Sequence, residues 1–219
     1  MKIPLPSKFI YYTNDRTASA YVRKNTLYIN GLISWEKLAY DLCYALNGRK
    51  VCTYCGKTVK KSKMTLDHMF PRFFGGVSIP TNLTPACKSC NNKKSDLNYY
   101  EFKVFRTMNE KDGKHYRMSI YRKKRKIRFQ RGFNLPRNWT TSMDIKDIIA
   151  RPIPDDGRNQ KKYQRVTHFV ERYGHLPNPI VVSANDVLLE GNTIYWVAVD
   201  FGFEYVQVIR LDNVFVKLR

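Results

Sequence analysis

The stretch TLDHMFPRFFGG, Thr65 to Gly76, sets an Asp and a His side by side in a β-rich run, breaks at a proline and ends in two glycines. It lies midway between the pairs CTYC, Cys52 to Cys55, and CKSC, Cys87 to Cys90. An acid beside an imidazole occurs on ordinary surface strands. What surrounds this pair decides whether it carries chemistry.

Two residues between the cysteines of a pair let both thiolates reach one ion from a tight knuckle, and four thiolates form the tetrahedral set that structural zinc prefers. Disulfides need an oxidising compartment, and the amino terminus, MKIPLPSKFIYY, lacks the long apolar core of a secretory signal. A redox pair would need one CxxC, not two. Cys52, Cys55, Cys87 and Cys90 are therefore read as a structural zinc site in an intracellular, cytoplasmic or nucleoid protein. The fifth cysteine, Cys43, falls on the apolar stripe of a helix predicted from Trp35 to Asn47 and closed by Gly48, so it reads as a buried thiol.

The interval from Cys55 to Cys87 holds 31 residues, longer than the 15–20 of a simple double knuckle, so something folded occupies it. Taken together, CTYCGK, TLDHMFPRFFGG and TNLTPACKSCNNKK resemble the HNH endonucleases, the family built on the ββα-metal, or His-Me, finger. The resemblance spans about 45 residues, from Val51 to Ser95, with Asp-His, Pro, Gly-Gly, Asn-Leu and Cys-x-x-Cys-Asn-x-x-Lys in the family's order. It implies His68 as general base, and Asp67 and Asn91 as ligands of a catalytic magnesium or manganese ion. It also implies Asn82 as the residue that holds the loop and positions the base. Where many members have His, position 91 is Asn.

Each residue has a plainer reading. Asp67 is a rare acid in a basic stretch, so a cation partner is expected, either metal or Lys. On a strand it should point to the face opposite His68. Asn82 also reads as a helix cap before Leu83. Lys93 and Lys94 read as phosphate contacts, and Arg72 as a phosphate contact or a solvated charge.

The formal net charge is +21, and it is unevenly placed. Residues 1–154 hold 31 Lys/Arg against 10 Asp/Glu, whereas residues 155–219 hold eight of each. A basic unit of this kind expects a polyanion, double-stranded DNA first, with RNA as the alternative. No apolar run approaches the roughly 20 residues of a membrane span, and no basic amphipathic helix with a Trp/Phe/Leu face offers a membrane anchor. Arg122 to Arg131 concentrates Arg122, Lys123, Lys124, Arg125, Lys126, Arg128 and Arg131. The short alternating runs around it predict a basic two-stranded β-ribbon that tracks DNA, against the plainer reading of a solvated charge run.

Beyond a Pro- and Asp-rich linker, ARPIPDDGRN, the sequence from Pro177 onward looks like the ParB/sulfiredoxin-like fold. Its turn is Gly191-Asn192, and Ile194 stands near the place of that family's phosphate-handling Arg. Nucleotide binding is open on that account, as is a protein partner or self-association through this part. TIYWVAVDFG, Thr193 to Gly202, is β-rich by composition yet also fits a helical face.

The expected architecture is α+β. It comprises an amino-terminal hairpin and helix (1–50), a zinc-stapled nuclease module (51–105), a basic segment with linker (106–154) and a small carboxy-terminal α+β domain (155–219). The expected activity is divalent-metal-dependent DNA hydrolysis. The alternatives are a catalytically silent zinc-stapled DNA-binding module and an RNA-directed nuclease.

Overall fold

The computed structural model describes residues 1–31, 33–48, 50–133, 135–150 and 160–217. The predicted linker lies, except for Ala150, outside the described residues.

The chain opens with β1 (Ile10–Tyr12), β2 (Ser19–Arg23) and β3 (Thr26–Asn30), joined as antiparallel neighbours. The turn of the expected amino-terminal hairpin joins β2 to β3 at Lys24-Asn25, both with positive φ, 48° and 55°. That conformation matches the right-handed twist of a two-residue hairpin. Helix α1 (Trp35–Asn47) follows with the predicted bounds and buries Trp35, Leu38, Ala39, Leu42 and Cys43. It ends at Gly48, whose N–H donates to the carbonyl of Tyr44. Burial pushes the Cys43 thiol up to about 11, as an inert core group requires.

Next come β4 (Met64–His68) and β5 (Leu83–Cys87), an antiparallel pair with Asp67 opposite Thr84 and His68 opposite Leu83. Then α2 (Lys88–Lys94), α3 (Tyr99–Phe105) and α4 (Glu110–Arg131) lead away from the pair. A capping box between Asn98 and Glu101 starts α3, and the Asn109 side chain caps α4.

The expected basic ribbon is instead the 22-residue helix α4. Its inward stripe is Arg117, Tyr121, Lys124 and Arg128, spaced at i, i+4, i+7 and i+11. Arg117 donates to the carbonyls of Lys93 and Lys94, Lys124 pairs with Glu101, and Arg128 donates to the carbonyl of Phe73. A helix whose docking face is cationic leaves no apolar period of 3.6 to read, which is why the alternation misled. Lys, Arg, Met and Gln are also good helix formers, and Gly132 closes the helix through its N–H to Arg128.

The last third contains β6 (Thr141–Asp144), α5 (Gln160–Tyr173), β7 (Ile180–Ser183), β8 (Leu188–Glu190), α6 (Asn192–Asp200), β9 (Tyr205–Leu211) and β10 (Val214–Lys217). The ambiguous TIYWVAVDFG run is helix α6 up to Asp200, burying Thr193, Ile194, Tyr195, Val197 and Ala198. Strands β6, β9, β7 and β8 form one sheet in that order, and α5 and α6 share its core.

The two ends of the chain do not stand apart. Strand β10 pairs in parallel with β3, so the amino-terminal sheet has the order β1, β2, β3, β10. The backbone N–H of Ile3 donates to the Asn213 side chain at 3.0 Å. One core joins Leu27 and Leu38 to Ile79 and Leu83 and to Ile209, Leu211 and Val214. Residues 1–50 and the carboxy-terminal strands therefore pack on the β4–β5 pair through one shared core.

Candidate metal centre and active site

The first knuckle starts where the N–H of Gly56 donates to the carbonyl of Cys52 at 2.8 Å, and Gly56 has φ 70°. The second starts where β5 runs into α2. There the Cys87 sulfur accepts from the Cys90 N–H at 3.4 Å and caps the helix. The four sulfurs lie within 4.8 Å of one another. A tetrahedral zinc thiolate site needs edges of about 3.8 Å, so the set fits one metal ion. Burial opposes ionisation of Cys52, but the N–H groups of Cys87, Cys55 and Tyr54 outweigh it and bring the thiol down to about 7.

Tyr54, inside the first knuckle, joins this centre to Asp67. Its hydroxyl donates to the Asp67 carboxylate, and Thr53 meets Thr84 on β5 at 2.6 Å between their hydroxyls. Sequence reasoning passed over Tyr54, which carries no signal beyond its place between two cysteines.

Asp67 and His68 leave β4 on opposite faces, as expected for adjacent strand residues. Asp67 is buried and faces Lys94, whose ammonium lies 3.0 and 3.2 Å from its two oxygens and donates to the carbonyl of His68 at 2.9 Å. Burial pushes the Asp67 carboxyl up and the Lys94 ammonium down, and their mutual attraction opposes both shifts. Of the two cation partners expected for Asp67, the structure contains the lysine. Lys94 is therefore no phosphate contact: it is fully buried.

Asn91 turns its amide toward β4, donating to Thr65 Oγ1 at 3.0 Å and to the carbonyl of Leu66 at 3.4 Å. Among the described residues nothing donates to its Oδ1. Asn92, one position on, is exposed. A carboxylate has about four lone-pair sites, and those of Asp67 serve Tyr54, Lys94 and the His68 N–H, so a metal ion there would take over from one of these donors. Asp67 and Asn91 together offer hard oxygens of the kind magnesium or manganese takes.

His68, at the end of β4, has Nε2 3.1 Å from Ser78 Oγ and its ring edge-on to Tyr40. Burial first, then the Arg72 guanidinium, hold it down to about 4. It is a neutral imidazole at neutral pH.

Asn82 is fully buried and clamps the loop between the strands. Its Oδ1 accepts from the Phe70 N–H at 2.7 Å, and its Nδ2 donates to the carbonyls of Phe70 and Val77 at 3.1 and 3.0 Å. No helix follows it, because Leu83 begins β5. Gly76 belongs to the same loop: a Cβ there would come 1.9 Å from the carbonyl oxygen of Phe70.

Asp67, His68, Arg72, Asn91 and Lys94 line one open cleft of about 260 Å³. Arg72 spends its guanidinium on Glu36 and Glu190. Lys93 is exposed. Of the seven basic residues in Arg122–Arg131, Lys124 is buried against Glu101, and Arg128 lies over Phe73 and Phe169. Neither is free for a phosphate. Arg122, Lys123, Arg125, Lys126 and Arg131 form the exposed ridge.

Replacing Lys94 by Met should strand the Asp67 charge. Breaking a buried pair from one side costs about 3–5 kcal/mol, and both side chains qualify, at 0% and 7% exposure. Urea unfolding of the metal-loaded protein reads this directly. An unchanged midpoint would mean the pair contributes nothing.

Residues 52–99 match the family model of the HNH endonucleases. Among curated proteins no sequence matches the chain. The match covers both knuckles, the β4–β5 pair and α2, and so contains Asp67, His68, Asn82 and Asn91. Among the described residues, no helix is long and apolar enough to cross a membrane.

Proposed function

We propose that the protein is an HNH-type DNA endonuclease that hydrolyses phosphodiester bonds with His68 as general base. In this reading zinc occupies the four cysteines, and a magnesium or manganese ion is held by Asp67 and Asn91. The observation that carries it is the shared cleft, lined by Asp67 and His68 from β4 and Asn91 from α2, with His68 a neutral imidazole.

The bound divalent ion would supply charge stabilisation at the scissile phosphate and the leaving 3′ oxygen. His68 takes the proton from the attacking water, a task suited to an imidazole that is uncharged at neutral pH. Asn82 fixes the loop that carries Pro71 and Arg72, and so the wall of the cleft. Tyr54 and Lys94 hold the Asp67 carboxylate in place. The metal at the cysteines ties the knuckle holding Tyr54 to the helix holding Asn91.

A supercoiled plasmid incubated with and without magnesium, beside a structured RNA, tests this. Cleavage of the plasmid only with the metal is expected. Cleavage of RNA alone would move the substrate class, and cleavage of neither would leave a zinc-stapled binding module.

The DNA grip in this reading is the exposed ridge of α4. Neutralising Z phosphates gives a log–log salt slope of about −0.9Z. Replacing Arg122, Lys123, Arg125 and Lys126 by Gln should make the slope shallower and weaken binding equally on unrelated sequences. Lys124 and Arg128 are left in place because they hold the helix down. A slope identical to the wild type's would reduce the ridge to a solvated face.

A further inference from the structure

The inner side of His68 faces a polar network whose anchor, Glu190, lies outside the family match. Glu190, at the end of β8, reaches the loop between β4 and β5 from 112 residues away. Its Oε2 accepts from the Ser78 N–H at 2.8 Å, and its Oε1 lies 3.3 Å from both Arg72 Nη2 and Ser78 Oγ. Ser78 is fully buried and its Oγ also meets His68 Nε2 at 3.1 Å. The turn that ends β8 is fixed by Gly191, at φ 102°, where a Cβ would come 2.6 Å from Ile180 Cγ2.

The direction of each proton follows from counting donors. Arg72 is always charged and donates to Glu190. Burial, the largest influence, and the neighbouring Glu36 carboxylate push the Glu190 carboxyl up overall, against the Ser78 N–H and the Arg72 guanidinium; the ion pair with Arg72 at 3.3 Å is what assigns it as the carboxylate. A carboxylate held by two such donors can only accept. The hydroxyl proton of Ser78 therefore points to Glu190 and leaves Ser78 an oxygen lone pair for His68. Nε2 must then carry the imidazole proton, and the free lone pair is on Nδ1. Among the described residues Nδ1 takes no hydrogen bond.

We infer that Glu190 is a positioning residue for the general base: acting through Ser78, it holds the His68 proton on Nε2 and leaves Nδ1 to take the proton from water. The inference rests on the nuclease reading and extends it. The base is oriented by a residue from the carboxy-terminal sheet, so residues 52–99 alone lack part of their own site.

The test uses the full-length, zinc-loaded, ¹⁵N-labelled protein. Long-range ¹H–¹⁵N correlation reads the tautomer of His68, assigned by its loss in His68→Ala. The wild type should show the proton on Nε2. In Glu190→Gln the new amide can donate to Ser78, which turns the hydroxyl proton toward His68 and shifts the imidazole proton to Nδ1. Cleavage at saturating DNA and magnesium should then fall about 10- to 100-fold, the usual effect of losing a partner that fixes an imidazole, with DNA affinity unchanged. Glu190→Asp keeps an acceptor and should recover the Nε2 tautomer and most of the rate. Zinc content and the urea midpoint establish that each variant is folded. A wild-type His68 protonated on Nδ1, or a Glu190→Gln protein with unchanged tautomer and rate, would overturn the inference. A wild type that cuts no nucleic acid would overturn the nuclease reading instead. The tautomer arm needs no substrate and would still decide the relay.

Discussion

A Cys87→Ser protein should lose its zinc and, with it, the folded module around β4 and β5. Binding free energy at a structural four-cysteine site is also folding free energy, on the order of 10 kcal/mol. That is comparable to the whole stability of a typical domain, about 5–15 kcal/mol. Among the described residues the buried cluster around the knuckles is small: Cys52, Tyr54, Ala86, Cys90, Leu97 and Phe102, with Cys55, Cys87, Tyr99, Phe105 and Ile120 packed against it. Loss of the knuckle also releases Tyr54 from Asp67. The larger core contains none of the four knuckle cysteines, and its part built from Leu27, Leu38, Ile209 and Val214 should persist. Metal analysis should return one zinc per wild-type chain. Hydrogen exchange on the variant should show protection lost in β4, β5 and α2 while β2, β3 and α1 keep theirs. A folded, active protein without zinc would sink this account.

What could be read from the sequence was what is local or has a strong period. Helix α1 has the predicted bounds because a 3.6-residue apolar stripe and a closing Gly agree. The cysteine frame was legible because its spacing is dictated by one ion. Position 67 was half legible: a lone acid among cations announces a partner, but not whether that partner is a metal or Lys94. Helix α4 was misread because its docking stripe is built from Arg117, Lys124 and Arg128, so charge hid the period that hydrophobicity normally displays. The long-range contacts were not legible at all. Nothing in VFVK, Val214 to Lys217, announces that it pairs with β3 near the other end of the chain. Likewise nothing in LLEGN, Leu188 to Asn192, ties Glu190 to Ser78. Both depend on how the sheets pack, which no local pattern encodes.

Replacing His68 by Ala should cost cleavage a factor of about 100 to 10,000, equivalent to roughly 2.7–5.5 kcal/mol of barrier. The module holds no second histidine that could take over, since His115, His168 and His175 lie outside it. His175, for one, is engaged with the carbonyl of Phe129 at 3.0 Å. DNA binding should be retained, because the α4 ridge lies on a different element. Asp67→Ala is a poorer test: it removes a proposed metal ligand and at the same time strands the buried Lys94 ammonium, so lost activity would be confounded with lost stability. His68 is neutral where it stands, and its recorded hydrogen bond is to Ser78, which keeps Glu190 as a partner when the ring is gone. A His68→Ala protein should therefore keep its zinc, its unfolding free energy to within about 2 kcal/mol, and its salt-dependent grip on DNA, while cutting almost nothing. Cleavage at the wild-type rate by such a protein would remove His68 from the chemistry, and with it the reason for placing the reaction in this cleft.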